Sequence, residues 1–216
     1  GWSVELKNIY DDFPELHVLF TGSSVIHLSQ AAGDLSRRAV MYELPGLSYR
    51  EYLNVKSNLN LPAVNWKELP EWHTAFARDI TQEIRPLAGF RQYLQNGYYP
   101  YVFENEEVYT QKLTEVIDIS MNIDLPAAFK VTFSSLEKLK KLLSVIAENV
   151  PFQPNISKLS ERIGVTRNTL VQLLGYLEEL RIIKRIYARS RSISSLQKPD
   201  KIMLHHPNLH YALAYH

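Results

Sequence analysis

The sequence predicts a mainly α fold with minor β, on three observations. Between residues 54 and 150, apolar positions recur at helical spacing and are punctuated by Pro62, Pro70, Pro86, Pro100 and Pro126. In the last third, two short helical stripes are joined by Gly164-Val165 and followed by two extended segments. Before that region the chain offers one clear strand, Leu16–Phe20, and one further short candidate, Val40–Leu44.

The chain has 216 residues, enough for one large domain or two small ones. Hydrophobic residues make up 45% and charged residues 22%, which supports a packed core and excludes global disorder. There is no cysteine, so disulfides and cysteine-ligated metal are excluded, and a reducing cytoplasm is the expected home. No apolar run approaches membrane-spanning length, so no membrane partner is expected. The sequence opens Gly1-Trp2 rather than with Met, and the start is expected not to be the native one. The net charge of +1 hides an asymmetry. Residues 1–154 hold 14 Lys/Arg against 19 Asp/Glu, a balance of −5, and residues 155–216 hold 10 against 4, a balance of +6. A basic final third fits an anionic partner, and it equally fits an ordinary solvated surface.

Trp2, Leu6, Ile9 and Tyr10 share one face of a helix over residues 2–12, which Phe13-Pro14 ends. Leu16-His17-Val18-Leu19-Phe20 has apolar residues on both faces, as in a buried strand of a parallel sheet. A lone strand leaves backbone groups unpaired, so its sheet neighbours are expected upstream. Thr21, Ser23 and Ser24 follow at its carboxyl end, where open α/β sheets bind ligands. Their hydroxyls could meet a phosphate or an attacking water. Alternatively they form a polar turn with Ser24 as the N-cap of the next helix.

Leu16–Ser24, LHVLFTGSS, resembles the fourth core strand and first sensor of a bacterial and archaeal family of AAA-type P-loop ATPases. Gly33–Leu53, GDLSRRAVMYELPGLSYREYL, resembles the segment that follows it there. Arg38 falls on the family's arginine, with Arg37 beside it, and Leu47, Ser48, Tyr49, Glu51, Tyr52 and Leu53 fall on its Leu-Ser-aromatic-x-Glu-aromatic-Leu element. Tyr93–Pro100 resembles a Gly-aromatic-Pro element, and the Trp2 helix the stretch after the Walker B acidic residues. The resemblance implies a sensor at Thr21, Ser23 and Ser24, a candidate arginine finger at Arg37 or Arg38, and ATP with magnesium in the intact protein. A guanidinium suits such a role because it is always charged and offers forked donors. The alternative for Arg37-Arg38 is a solvated pair or an ion pair with Asp34 or Glu43. The chain departs from the family in having no Gly-x-x-x-x-Gly-Lys-Ser/Thr loop and no apolar strand ending in Asp-Glu. No nucleotide is therefore expected on this chain alone.

In the middle, helices are expected over Glu71–Glu83, Leu87–Gln95 and Val108–Ile119. Ser134–Glu137 reads as a capping box before the stripe Leu136, Leu139, Leu142, Leu143 and Ile146. Glu104, Glu106 and Glu107 read as a solvated group favouring a helix N-terminus. His205, His206 and His210 do not read as zinc ligands, because Pro207 interrupts the helix such a motif needs. Tyr211-Ala212-Leu213 reads as a helix beginning.

In the final third Asn155 caps a short helix carrying Ile156, Leu159 and Ile163, and Thr166 caps a second carrying Leu170, Leu173, Leu174, Leu177 and Leu180. Arg181–Tyr187 and Lys201–His205 are the expected strands. Together these predict a winged helix. In DNA-binding versions the second helix enters the major groove by its N-terminal residues, here Arg167, Asn168, Thr169 and Gln172. Arg189, Arg191 and Lys198 on the intervening loop could meet phosphates. The alternative is that the module contacts an acidic protein or a neighbouring copy of the chain in a homo-oligomer.

The expected organisation is the end of a P-loop α/β core over 1–53, a helical lid region over 54–150 and a winged helix over 151–216. The expected function is the sensing, lid and winged-helix part of an ATPase that couples hydrolysis to a nucleic-acid or protein partner. The alternative is a winged-helix transcriptional regulator with a helical sensor domain.

Overall fold

The structure, a computed structural model, describes residues 2–22, 35, 38–40, 42–129, 131–149, 152–187 and 199–214. They form a mainly α fold with minor β. The helices are α1 (Trp2–Asp12), α2 (Tyr49–Lys56), α3 (Leu69–Glu83), α4 (Pro86–Asn96), α5 (Tyr109–Ile119), α6 (Leu125–Phe129) and α7 (Phe133–Glu148). Then come α8 (Ile156–Ile163), α9 (Arg167–Glu179), strands β1 (Ile183–Ile186) and β2 (Lys201–Leu204), and α10 (Pro207–Leu213). The chain divides into two compact units, one of Gly1–Glu43 with Thr114–His205, the other of Leu44–Leu113 with His206–His216.

In the first unit, α7 supplies the central stripe. Leu139, Leu142 and Ile146 are fully buried, and Leu136, Leu143 and Val145 flank them. Each such side chain contributes about 1.5–3 kcal/mol by leaving water. The cap differs from the expected one. Thr132 precedes the helix and its hydroxyl accepts from the Ser135 amide, so Ser134 lies inside the first turn. Either hydroxyl could serve an orphan N–H, and the structure selects the one that adds half a turn.

Around α7 pack α8, α9 and the strands. Asn155 caps α8 through the Lys158 amide, and Gly164 closes it in the left-handed region at φ 74°. Thr166 then caps α9 through the Thr169 amide, and Leu170, Leu173, Leu174 and Leu177 face inward. The chain leaves α9 through Arg181, a non-glycine residue at φ 57°. The Ile182 amide there donates to the Leu177 carbonyl and the Arg181 amide to Glu178, which closes the helix end. β1 pairs antiparallel with β2, Ile183 opposite Leu204 and Ile186 opposite Lys201. Phe152 bridges to Ile202 with two backbone bonds of 3.0 and 2.7 Å. On the inner face Arg185 is paired with Glu178 of α9 at 2.6 Å.

The expected strand at Leu16–Phe20 is not formed. These residues have no ladder partner among the described residues, and Leu16, Val18 and Leu19 are 54%, 47% and 92% exposed. Strand hydrogen bonds need a neighbour, and without one the run turns back at Phe13–Leu16 and lays Phe20 against Trp2 at 5.7 Å between ring centroids. Val40, Tyr42 and Leu44 are likewise exposed and outside any strand. Helix α1 forms as expected, but none of its residues is buried.

The second unit is held by tyrosines and one asparagine. Ser48 and Glu51 make a reciprocal capping box at the start of α2. Tyr49 donates to the Pro86 carbonyl and Tyr93 to the Leu47 carbonyl, fixing α2 against α4. Asn208, 1% exposed, accepts from the Tyr98 amide and the Tyr109 hydroxyl and donates to the Tyr93 and Leu94 carbonyls. Pro207 does not interrupt a helix. It opens α10, which His206 caps, so Tyr211–Leu213 is a last turn rather than a beginning.

Candidate functional site

Arg38 is placed by Leu35, whose side chain is 2% exposed and whose carbonyl accepts from the amides of Arg38 and Ala39. That turn brings the guanidinium to the end of α1. Nε donates to Asp11 Oδ1 at 2.9 Å and Nη2 to Oδ2 at 3.0 Å, with Tyr10's ring 6.0 Å from the guanidinium carbon. The hydrogen bond from Arg38 holds the Asp11 carboxyl below its ordinary pKa, and the same bond raises Arg38. Glu43, one of the alternative partners expected for the arginine pair, instead accepts from Arg181 at 3.0 Å. Thr21 is exposed and lies outside any strand. Ser23, Ser24, Asp34 and Arg37 lie outside the described residues.

The second candidate surface is the start of α9. Arg167, Asn168 and Gln172 are exposed, and Gln172 Nε2 donates to the Tyr176 hydroxyl at 2.6 Å. Thr169 is half-buried and tied to the Thr166 hydroxyl at 2.9 Å, so it serves the cap rather than an open face. An open groove of about 440 Å³ runs beside it, lined by Lys138, Glu161, Gly164, Val165, Thr166 and Thr169 among others. On the outer face of the hairpin, Lys184 and Lys201 are exposed beside Ile186 and Met203. Arg189, Arg191 and Lys198 lie outside the described residues.

Sequence reasoning did not single out Asp11. Its signal was present: a carboxylate at a helix C-terminus opposes the helix dipole and calls for a cation. The acidic group at 104–107 is more structured than a solvated face. Glu106 accepts from Gln92 at 2.6 Å, Asn96 at 2.9 Å and Lys56 at 3.3 Å. Burial pushes its pKa up, and the bonds from Asn96, Gln92 and Lys56 outweigh that and bring it below the ordinary value. Burial also raises Tyr99 to about 12 and pushes Tyr101 and Tyr109 higher still, so these phenols are neutral packing groups rather than bases.

Among the described residues no group of three or more His, Asp and Glu could hold a metal. The sequence has no phosphate-cradling glycine loop. The residues present therefore do not fit a magnesium–ATP site of their own. Among the described residues no helix is long and apolar enough to cross a membrane.

Residues 1–53 match the family model of an AAA domain. The chain belongs to the family of a domain of unknown function, DUF8612, which matches residues 87–214. It is 24% identical over 207 residues to the Uncharacterized protein MJ1637 of Methanocaldococcus jannaschii, covering 93% of this chain and 43% of that protein. The chain thus spans less than half the length of this relative. No solved structure matches.

Proposed function

We propose that this chain is the sensing, lid and winged-helix part of a cytoplasmic AAA-type ATPase that couples ATP hydrolysis to a partner macromolecule. The observation that carries the reading is the AAA domain match over residues 1–53, the segment that contains Arg38. In the intact protein Arg38 would act as an arginine finger toward ATP held by other residues, with Arg37 beside it and Thr21, Ser23 and Ser24 as the sensor. The order α7, Phe152, α8, α9, β1, β2 supports the winged-helix reading, because a bridge residue, a helix-turn-helix and a hairpin follow a first core helix. Duplex DNA is the favoured partner, since Arg167, Asn168 and Gln172 stand exposed on the helix that would enter the groove.

Steady-state ATP turnover of the full-length protein tests the ATPase reading. Arg38→Ala should lower turnover on the order of 10³-fold and leave nucleotide affinity unchanged, because a finger acts on the transition state. Absence of ATP hydrolysis by the wild type would sink the reading. Anisotropy titrations of labelled duplexes at several salt concentrations test the partner. Binding at low salt that weakens steeply with salt is expected, and its absence points to an acidic protein or a second copy of the chain instead.

A further inference from the structure

We infer that Gln172 reads an adenine in the major groove of duplex DNA, with Tyr176 as the positioning residue that aims its amide. The inference rests on the reading of α9 as the helix that enters the groove. Leu170, Leu173, Leu174 and Leu177 turn one face of α9 into the core. Helical spacing therefore puts Asn168, Gln172 and Gly175 together on the outer face. Asn168 and Gln172 are exposed there, and Arg167 is exposed at the start of the same helix. A side-chain amide has one acceptor oxygen and two N–H donors. Gln172 Nε2 gives one donor to the Tyr176 hydroxyl at 2.6 Å, one helical turn further on. Oε1 and the second N–H carry no bond among the described residues. A donor and an acceptor thus remain side by side on one planar group, the pattern that adenine N6 and N7 require. Guanine presents two acceptors at that edge, so its O6 would face Gln172 Oε1.

The Tyr176 hydroxyl is itself held in place. Tyr176 is half-buried, and its ring packs on Phe129, the last residue of α6, at 4.9 Å between centroids and 32° between planes. An unrestrained glutamine loses rotamer freedom when it binds, whereas Gln172 has given up part of that freedom to a braced phenol beforehand. Gly175 points the same way independently. Glycine is a poor helix former, and a Cβ at Gly175 would meet nothing within 4 Å. The packing of the chain thus gives no reason for the missing side chain. On the face that carries Gln172, its absence lets a groove wall approach the helix backbone closely. Charge agrees with a polyanionic partner, since residues 155–216 hold 10 Lys/Arg against 4 Asp/Glu. Of the two carboxylates that end α9, Glu178 is paired with Arg185 and Glu179 is exposed. Glu179 would meet phosphates if the whole helix lay in the groove, so the first two turns enter, and these carry Asn168 and Gln172.

Selection of the whole chain against a randomised duplex library, followed by anisotropy titration of the enriched sites, tests this. The enriched sites should share one position at which A·T is bound about 10–100-fold more tightly than G·C, the discrimination that one bidentate amide contact supplies. Gln172→Ala should abolish the preference at that position. Tyr176→Phe keeps the ring on Phe129 and removes the hydroxyl, and it should weaken the preference at the same position alone. A structural loss would instead weaken binding to every duplex alike, so the position-resolved profile separates the two. Thermal melts of both variants matching the wild type would exclude misfolding as the cause. Gly175→Ala should melt higher than the wild type and bind the selected site more weakly. If the wild type enriches sites and Gln172→Ala keeps the same A·T preference, the inference is overturned while the DNA reading stands. An unchanged profile in Tyr176→Phe overturns the positioning role. Wild-type affinity in Gly175→Ala means that no groove wall comes close to α9, which counts against the inference as well. If the wild type binds no duplex at low salt, the DNA reading fails and the inference falls with it.

Discussion

Replacing Asn208 by alanine should be among the most damaging single changes to the unit that contains it. Its side chain makes four hydrogen bonds at a position 1% exposed. Oδ1 accepts from the Tyr98 amide at 2.9 Å and from the Tyr109 hydroxyl, and Nδ2 donates to the Tyr93 carbonyl at 3.1 Å and the Leu94 carbonyl at 2.6 Å. Tyr93's carbonyl keeps the Gly97 amide as a partner, so its loss is the mildest. Tyr109 is 1% exposed, and its hydroxyl proton would lose its acceptor. A net bond contributes about 1 kcal/mol, and each buried group left unpaired costs about 1–3 kcal/mol. The expected total is about 3–5 kcal/mol. Amide hydrogen exchange read at Pro86–Asn96 and Pro207–Leu213, the two helices that Asn208 joins, measures it. A change below about 1 kcal/mol would refute the reasoning, because it would mean that water or a shifted backbone satisfies these groups.

Two glycines should respond in opposite directions. Gly164→Ala should destabilise by about 1–2 kcal/mol because φ 74° disfavours any Cβ, whereas Gly175→Ala should stabilise by up to about 1 kcal/mol. A Cβ at Gly175 meets nothing within 4 Å inside α9, and urea unfolding of both variants decides the signs. Glu106→Gln should cost about 1 kcal/mol at pH 7, a figure discounted for the exposure of its carboxylate. Glu106's folded pKa is depressed, so its contribution is full above the ordinary value of 4.5 and is lost as pH falls through the lower folded value. The stability curves of wild type and variant should therefore converge below pH 4.5, and parallel curves down to acid pH would contradict this account.

The parts legible in the sequence were those whose signal is local. The α7 stripe and the caps Asn155 and Thr166 could be read because helical periodicity ends on residues that bond their own next turn. The α2 helix was available by the same logic, since Ser48 and Glu51 are a capping box, but the residues were read only as part of a family element. The cap of α7 was misread because Ser and Thr at 132, 134 and 135 all qualify locally, and Phe133 is exposed and gives no packing cue. The bonds of Asn208 reach residues 99 to 115 positions away, and the Arg38–Asp11 pair depends on a turn at Leu35. Neither leaves a periodic trace. The Leu16–Phe20 strand failed for another reason: its apolar pattern states what the run would bury, while a ladder requires a second strand to exist.

That failure bears on the proposed function. In the described part of residues 1–53 the buried apolar side chains are Leu35, Tyr52 and Leu53. Trp2, Tyr10, Phe13, Leu16, Leu19, Tyr42 and Leu44 are exposed in the same stretch. Residues 87–214, matched by DUF8612, contain the stripes of α7 and α9 and the Asn208 hub, each with its own partners. Scattered single apolar residues need no explanation, but a run of this density is not maintained at a free surface. It is the pattern expected of one edge of a P-loop α/β sheet, whose strand at 16–20 and helix at 2–12 would be covered by neighbouring layers in the proposed ATPase.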